Sequence, residues 1–395
     1  MLKTTKILIP VLIALVFLGA IGAWDRLANG KANLNFGSYI PWGLWVGLYI
    51  YLVGISGGAF FIVFLHHALG VRSLGRVSLY ALPVALVTIS AGLVLVLVDL
   101  GHMERFWTLY TRPNPTSILA WMVWVYTAYV AVLLAMLYAV ATGAQRSLKS
   151  LSILGFLLVI TFGGGEGALF GVLGAKPYWN SGLLPIRFLF SAFLSGAALV
   201  AFTAIFLRHW PADNEHKEAV TFLRLLLLAL MAINFLVEFS DFSVTHYTAV
   251  PAVLEAHRLM VFGPYWWVFW IIQILIGLLL PTILLVPRWG SRPSNLALGS
   301  LLIAVGYAGT KQNIVLPGLA IPEFRALPES YVHERLSTVY FPSTTEWLLA
   351  IGVMAGAALV FLIVTETLWR LRERRARPHT APATGWTSLK EGRVT

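Results

Sequence analysis

Residues 77–98 run without one charged side chain, and that feature restricts the fold more than any other. About 20 apolar residues in a row cross the hydrocarbon core of a bilayer as a helix. Blocks of the same kind recur along the chain, and apolar patterning predicts spans at 7–24, 42–69, 77–100, 116–141, 151–173, 185–207, 219–239, 265–286, 294–309 and 342–368. Charged residues make up 11% of the chain and hydrophobic ones 58%, whereas an ordinary soluble domain carries roughly 25% charged residues. A water-soluble fold is excluded. Backbone facing lipid must satisfy its own hydrogen bonds, so the spans are helices. The expected fold class is an all-α integral membrane protein of about ten transmembrane helices.

The net charge of +11 reports orientation rather than a nucleic-acid partner, because the excess sits in short connections and a tail. Sorting by alternate connection puts Lys3, Lys6, Arg72, Arg76, Arg146, Lys149, Arg208, Lys217, Arg288, Arg292 and the tail from Arg370 to Arg393 on one side. That side is expected to be the cytoplasm of a bacterial or archaeal cell, with both termini in it. On the other side the loops are longer, and Lys31, Arg105, Lys311, Arg325 and others are diluted by acids. Its segments 240–264 and 310–341 are the expected docking surface for a partner. Lys3 and Lys6 before an apolar stretch ending in Gly19, Ala20, Gly22 and Ala23 resemble a signal peptide; the stretch is apolar enough to span, and is read as a retained anchor.

An internal repeat organises the chain. Ser56-Gly57-Gly58-Ala59 reappears as Ser195-Gly196-Ala197-Ala198, and at the same offset Leu97-Val98-Asp99 reappears as Leu236-Val237-Glu238. Two four-helix bundles in parallel orientation explain this, with a helix added at each end. The division expected is 1–40 for the first helix and outer loop, 41–181 and 182–341 for the bundles, 342–371 for the last helix, and 372–395 for a disordered tail rich in Arg, Pro and Thr. The small residues of the repeat allow close helix packing.

Charge inside a bilayer costs at least a few kcal/mol, so ionisable groups near span ends are informative. Asp99, Glu166, Glu238 and Asp241 all fall toward outer ends, with His102, Glu104 and Arg105 just beyond Asp99 and His246 beyond Asp241. They make one candidate polar site, in which Trp107 offers a ring for stacking. Glu166 lies among Gly163, Gly164, Gly165 and Gly167, where a ligand or helix can approach. Some of these charges could instead pair helices, for example Asp99 with Arg105. His66, His67, Arg224 and Glu366 lie toward the other ends, where long side chains snorkel.

No cysteine is present, so this chain holds no cysteine-ligated iron–sulfur cluster. His66 and His67 lack a histidine at matching depth in another span, which speaks against haem. A flat ligand among aromatics, carboxylates and histidine remains allowed, and a quinone fits: its carbonyls need hydrogen-bond donors and its reduction needs protons.

The stretch Asp99-Leu100-Gly101-His102-Met103-Glu104-Arg105-Phe106-Trp107, with Thr111-Arg112-Pro113-Asn114-Pro115, resembles the membrane subunits of the polysulfide reductase (NrfD/PsrC) family. So do Gly167-Ala168-Leu169-Phe170-Gly171, Lys176-Pro177-Tyr178-Trp179-Asn180-Ser181, and Tyr340-Phe341-Pro342-Ser343 with Glu346-Trp347. The layout is similar to the branch of the hydrogenase-2 membrane subunit and the sulfite-reductase-associated membrane protein. The resemblance implies a haem-free site near the outer face for menaquinone or ubiquinone, serving anaerobic respiration. It also implies an extracytoplasmic ferredoxin-like iron–sulfur subunit, and through it a molybdopterin, hydrogenase or multihaem cytochrome subunit. Asp99, His102 and Glu166 are the catalytic candidates, and Arg105, Trp107, Glu238 and Asp241 complete the quinone-binding set. A secondary transporter of parallel-repeat type and a structural anchor are the rival readings.

Overall fold

The computed structural model describes residues 3–207, 213–322, 326, 330–331 and 333–376. Arg208, Arg325 and the tail from residue 377, used in the orientation and disorder expectations, lie outside them. The described residues form helices and no strand. The main elements are α1 (Lys3–Asn29), α2 (Leu44–His67), α3 (Ser78–Asp99), α4 (Ile118–Thr142), α5 (Gln145–Gly171), α6 (Leu184–Leu207) and α7 (Asn214–Thr248). They continue with the short α8 (Pro251–Val261), α9 (Val268–Leu285), α10 (Pro293–Ala320) and α11 (Thr344–Ala376). Among the described residues nine helices, α1 to α7, α9 and α11, are long and apolar enough to cross a membrane. The first twelve residues of α9, Val268–Leu279, are wound as a π-helix, a form that recurs at functional sites.

The expected span 294–309 is the first part of α10, which has 28 residues. Here the outer docking loop expected at 310–341 needs correction. Residues 310–320 continue α10, and Thr310, Lys311, Asn313, Val315 and Ala320 are buried. The polar run reads as a loop by hydropathy, but its side chains find partners inside: Gln312 donates to the Leu44 carbonyl (3.2 Å) and Asn313 to Gln273 Oε1 (2.8 Å). Helix α7 likewise runs to Thr248, past the expected end at 239, and α11 runs to Ala376.

The most buried spans are α2 and α6, which carry the repeated small-residue segment. They cross with their backbones in contact. A Cβ on Gly58 would lie 2.0 Å from the Ala192 carbonyl oxygen, and one on Gly196 would lie 2.4 Å from that of Ile55. Only glycine permits such an approach, which brings van der Waals contact where lipid supplies no hydrophobic drive. Helix α2 packs on α3, α5, α6 and α10, and α6 packs on α2, α5, α7 and α10. Thus α2–α5 close on themselves through α2 and α5, and the later helices do so through α6 and α10. Helix α1 lies against α11, and α11 against α3 and α4. In α1, the small residues that look like a cleavage site form this seam: a Cβ on Gly19 would lie 2.2 Å from Gly352 Cα.

The Tyr340-Phe341-Pro342-Ser343 and Glu346 motif has a structural job. Ser343 Oγ accepts the Glu346 amide (3.3 Å) and Glu346 Oε1 accepts the Ser343 amide (3.3 Å), a capping box that starts α11. The same carboxylate accepts the Asn35 amide (3.0 Å) and the Tyr340 hydroxyl, while that hydroxyl accepts the Leu44 amide (2.8 Å). The starts of α2 and α11 and the loop after α1 are thereby locked together.

Candidate functional site

Beside the Glu346 cap, three clusters of ionisable groups stand out in the helical interior of the described residues. The first surrounds Asp99 at the end of α3. Arg26 of α1 donates to the carbonyls on either side of it, Val98 (2.9 Å) and Leu100 (2.7 Å), and Arg26 and Lys31 are the cations acting on the Asp99 carboxylate. Asp99 is buried, and its Oδ1 has no hydrogen-bond partner among the described residues. The expected pairing with Arg105 needs correction. The chain turns outward after Leu100, so His102 (2.9 Å) and Arg105 (3.8 Å) gather on Glu104 in an exposed loop, with Trp107 also exposed. Its own amide and the His102 ring hold the Glu104 carboxyl below the usual range.

The second cluster lies between α5 and α10. Glu166 of α5 is buried and accepts the Tyr126 hydroxyl (2.9 Å), which shares a hydrogen bond with the Tyr49 hydroxyl (2.8 Å). Across from it Lys311 of α10 donates to Ser191 Oγ (2.7 Å) and sits 4.0 Å from the centre of the Phe188 ring. Among charged groups, Lys311 acts most strongly on Glu166 and Glu166 on Lys311. Gly164 leaves open space beside this cluster, whereas a Cβ on Gly167 would strike the backbone of Pro185 at 2.5 Å.

The third cluster joins Glu238 and Asp241, which stand three residues apart on one face of α7. Arg187 of α6 reaches both, at 3.6 Å and 3.3 Å. Gln273, from the π-helical part of α9, donates to Glu238 Oε2 (3.1 Å) and accepts from Asn313. Beside Glu238 a cavity of ≈ 430 Å³ opens between α7 and α9, lined by Phe239, Phe242, His246, Phe269 and Leu278, within the range of small-molecule sites. Phe242 of this wall stacks on His257 (4.2 Å, 1°), and His246 Nδ1 donates to the Phe242 carbonyl (2.8 Å), which leaves Nε2 as an acceptor. On the other side of α7, Asp241, Thr245, Tyr178 and His257 line a cavity of ≈ 390 Å³. Burial pushes the His257 imidazole down to about 4, with His246 and Arg187 adding to it.

The structure therefore joins Glu238 to Asp241, groups His102 with Arg105 beside Trp107 on the surface, and keeps Asp99 and Glu166 in separate places. Arg187 and Lys311 are buried cations that the sequence reading leaves out of the site. A signal existed for Arg187, since carboxylates at i and i+3 on a buried helix face call for one bridging cation. Lys311 is hidden by its polar neighbours.

The fold and these clusters define a multi-pass helical membrane protein whose interior carries compensated charge. A family model described as polysulphide reductase, NrfD, matches residues 32–323, and the chain belongs to that family. Among its relatives is a subunit of the selenate reductase of Mesobacillus selenatarsenatis, 30% identical over 91% of this chain and 93% of the relative. The Hdr-like menaquinol oxidoreductase integral membrane subunit of Archaeoglobus fulgidus is 24% identical over 92% and 93%. The menaquinone reductase integral membrane subunit of Nitratidesulfovibrio vulgaris is 23% identical over 87% and 86%.

Proposed function

We propose that this chain is the quinone-reactive membrane subunit of a respiratory oxidoreductase, and that menaquinone is its substrate. The observation that carries this reading is the aromatic cavity beside Glu238. A quinol ring lies against Phe242 and Phe269, His246 Nε2 accepts from one of its hydroxyls, and Glu238, held by Arg187 and Gln273, exchanges the proton. Quinol oxidation releases two electrons and two protons. The protons pass to Glu238 and, through the Arg187-bridged Asp241, to the cavity at Tyr178 and His257. The electrons pass to metal centres of an extracytoplasmic iron–sulfur partner, which serves a molybdopterin, hydrogenase or multihaem cytochrome subunit. Reduction runs the same steps backwards. Relatives named for menaquinol and menaquinone support the substrate.

The exposed loop with His102, Arg105 and Trp107 is, on this reading, part of the surface on which the iron–sulfur partner docks. Both termini are cytoplasmic, and the two ring-like groups of four helices are parallel repeats of which the second holds the head group. A second reading puts the head group at Asp99, favoured by its buried Oδ1 without a hydrogen-bond partner among the described residues. Glu238→Gln and Asp99→Asn in the assembled complex separate the two. Glu238→Gln is expected to cut quinone-coupled turnover at least tenfold while dye-linked activity of the partner persists. Unchanged turnover in Glu238→Gln together with loss in Asp99→Asn transfers the site to the first bundle, and unchanged turnover in both refutes proton exchange at Glu238 and at Asp99.

A further inference from the structure

At the end of the molecule where α2 finishes and α3 begins, remote from Asp99, lies a cavity of ≈ 420 Å³. Its polar side is formed by His66, His67, Ser78 and Arg372, and Leu82 and Leu368 belong to its apolar wall. Among the described residues no carboxylate lines it. The basic groups around it differ in how they are satisfied. Arg76 is paired with Asp213 (2.7 Å) and Glu215 (2.9 Å), and Arg370 with Glu366 (3.1 Å). Arg372 has no carboxylate partner among the described residues, and its guanidinium carbon sits 5.5 Å from the Trp369 ring, which steadies the stem. His66 Nδ1 is tied to the Val71 carbonyl (3.0 Å), and the His67 ring packs edge-on against it at 4.5 Å. The ring of His67 keeps both nitrogens free of hydrogen bonds to the described residues.

We propose that this cavity holds one membrane phospholipid by its phosphate. Arg372 and His67 donate to the phosphate oxygens, and the first part of an acyl chain lies on the wall of Leu82 and Leu368. The split lining decides the occupant. A free phosphate ion answers the guanidinium and imidazole but leaves the leucine wall in water, and a hydrocarbon alone strands the cation. A phospholipid meets both demands at once, at the depth where helix ends meet head groups. This site is independent of the quinone reading, since none of its residues lies in the clusters described above.

The test uses the full-length chain purified in mild detergent. Native mass spectrometry is expected to find one phospholipid retained on the wild-type chain and on Arg374→Gln, a charge removed from the same helix outside the cavity, and at least fivefold lower occupancy on Arg372→Gln. After delipidation, phosphatidylglycerol is expected to raise the thermal midpoint of the wild type and not that of Arg372→Gln, while inorganic phosphate at the same concentration leaves it unchanged. Equal occupancy in Arg372→Gln and Arg374→Gln overturns the proposal, because attraction is then diffuse. An equal shift with inorganic phosphate overturns it in favour of a free-anion site. If Arg372→Gln does not elute as the folded chain, His67→Gln replaces it with the same expected loss.

Discussion

Lys311→Met is the substitution whose effect the structure specifies best. The lysine is buried, donates to Ser191 Oγ at 2.7 Å and lies 4.0 Å from the Phe188 ring centre. A hydrogen bond from a charged donor contributes about 1.5–3 kcal/mol. The larger loss is indirect. Without Lys311 the buried Glu166 loses the cation that acts most strongly on it and keeps only the neutral hydroxyls of Tyr126 and Tyr49 among the described residues, and removing one member of a buried charge pair costs about 3–5 kcal/mol. Lys311→Met is therefore expected to destabilise the chain by about 3–5 kcal/mol. Glu166→Gln should cost less, because Lys311 retains Ser191 and the ring. The double variant should be more stable than Lys311→Met alone by at least about 1 kcal/mol, since nothing charged is then left stranded. Equilibrium unfolding of the full chain in mixed micelles of mild detergent and dodecyl sulfate, followed by tryptophan fluorescence, measures all three. A double variant no more stable than Lys311→Met refutes the charge compensation.

At the helix crossing, Gly196→Val drives side-chain carbon into the α2 backbone and is expected to cost about 3 kcal/mol or more, while Gly164→Ala, built into open space, stays within about 0.5 kcal/mol; the same unfolding assay reads both. His257 has a folded value near 4, below the ordinary value of 6.5, so the folded chain binds fewer protons than the unfolded one. Its contribution is complete above pH 6.5 and is lost as the pH falls toward 4, by up to ~3 kcal/mol. The thermal midpoint should decline across that window, and His257→Gln should flatten the decline. Reporter fusions after Lys149 and after Thr395 should be active only as cytoplasmic reporters; periplasmic activity at either refutes the basic-residue sorting.

The parts of this protein legible in its sequence are those with a local signature. Apolar blocks locate the spans, because hydropathy measures what leaves water, whether it then meets lipid or another helix. The repeated Ser-Gly segments mark the α2/α6 crossing, because only small residues let two backbones touch. The i and i+3 spacing of Glu238 and Asp241 and the Ser343–Glu346 spacing of a capping box are local patterns of the same kind. What local pattern misses is compensation across the bundle. Lys311 meets Ser191 from 120 residues away, and Asn313 meets Gln273 from 40. Neither partner changes the hydropathy near residue 311, so the run from Thr310 to Asn313 looks like the end of a span. A buried cation costs several kcal/mol until its partners arrive, so a helix continuing through such a run does so only because other helices already offer a carboxylate and hydroxyls. In a membrane protein a polar stretch at the edge of a predicted span is therefore two-valued: it is a loop if nothing faces it, and the functional interior if a distant helix does. Asp99 shows the reverse. Its neighbours in sequence, His102 and Arg105, suggested a shared site, but a turn of the chain placed them in water and gave Asp99 the cations of α1 and the loop that follows it instead. Proximity along the chain orders residues on a helix, and it loses that power at the residue where the helix stops.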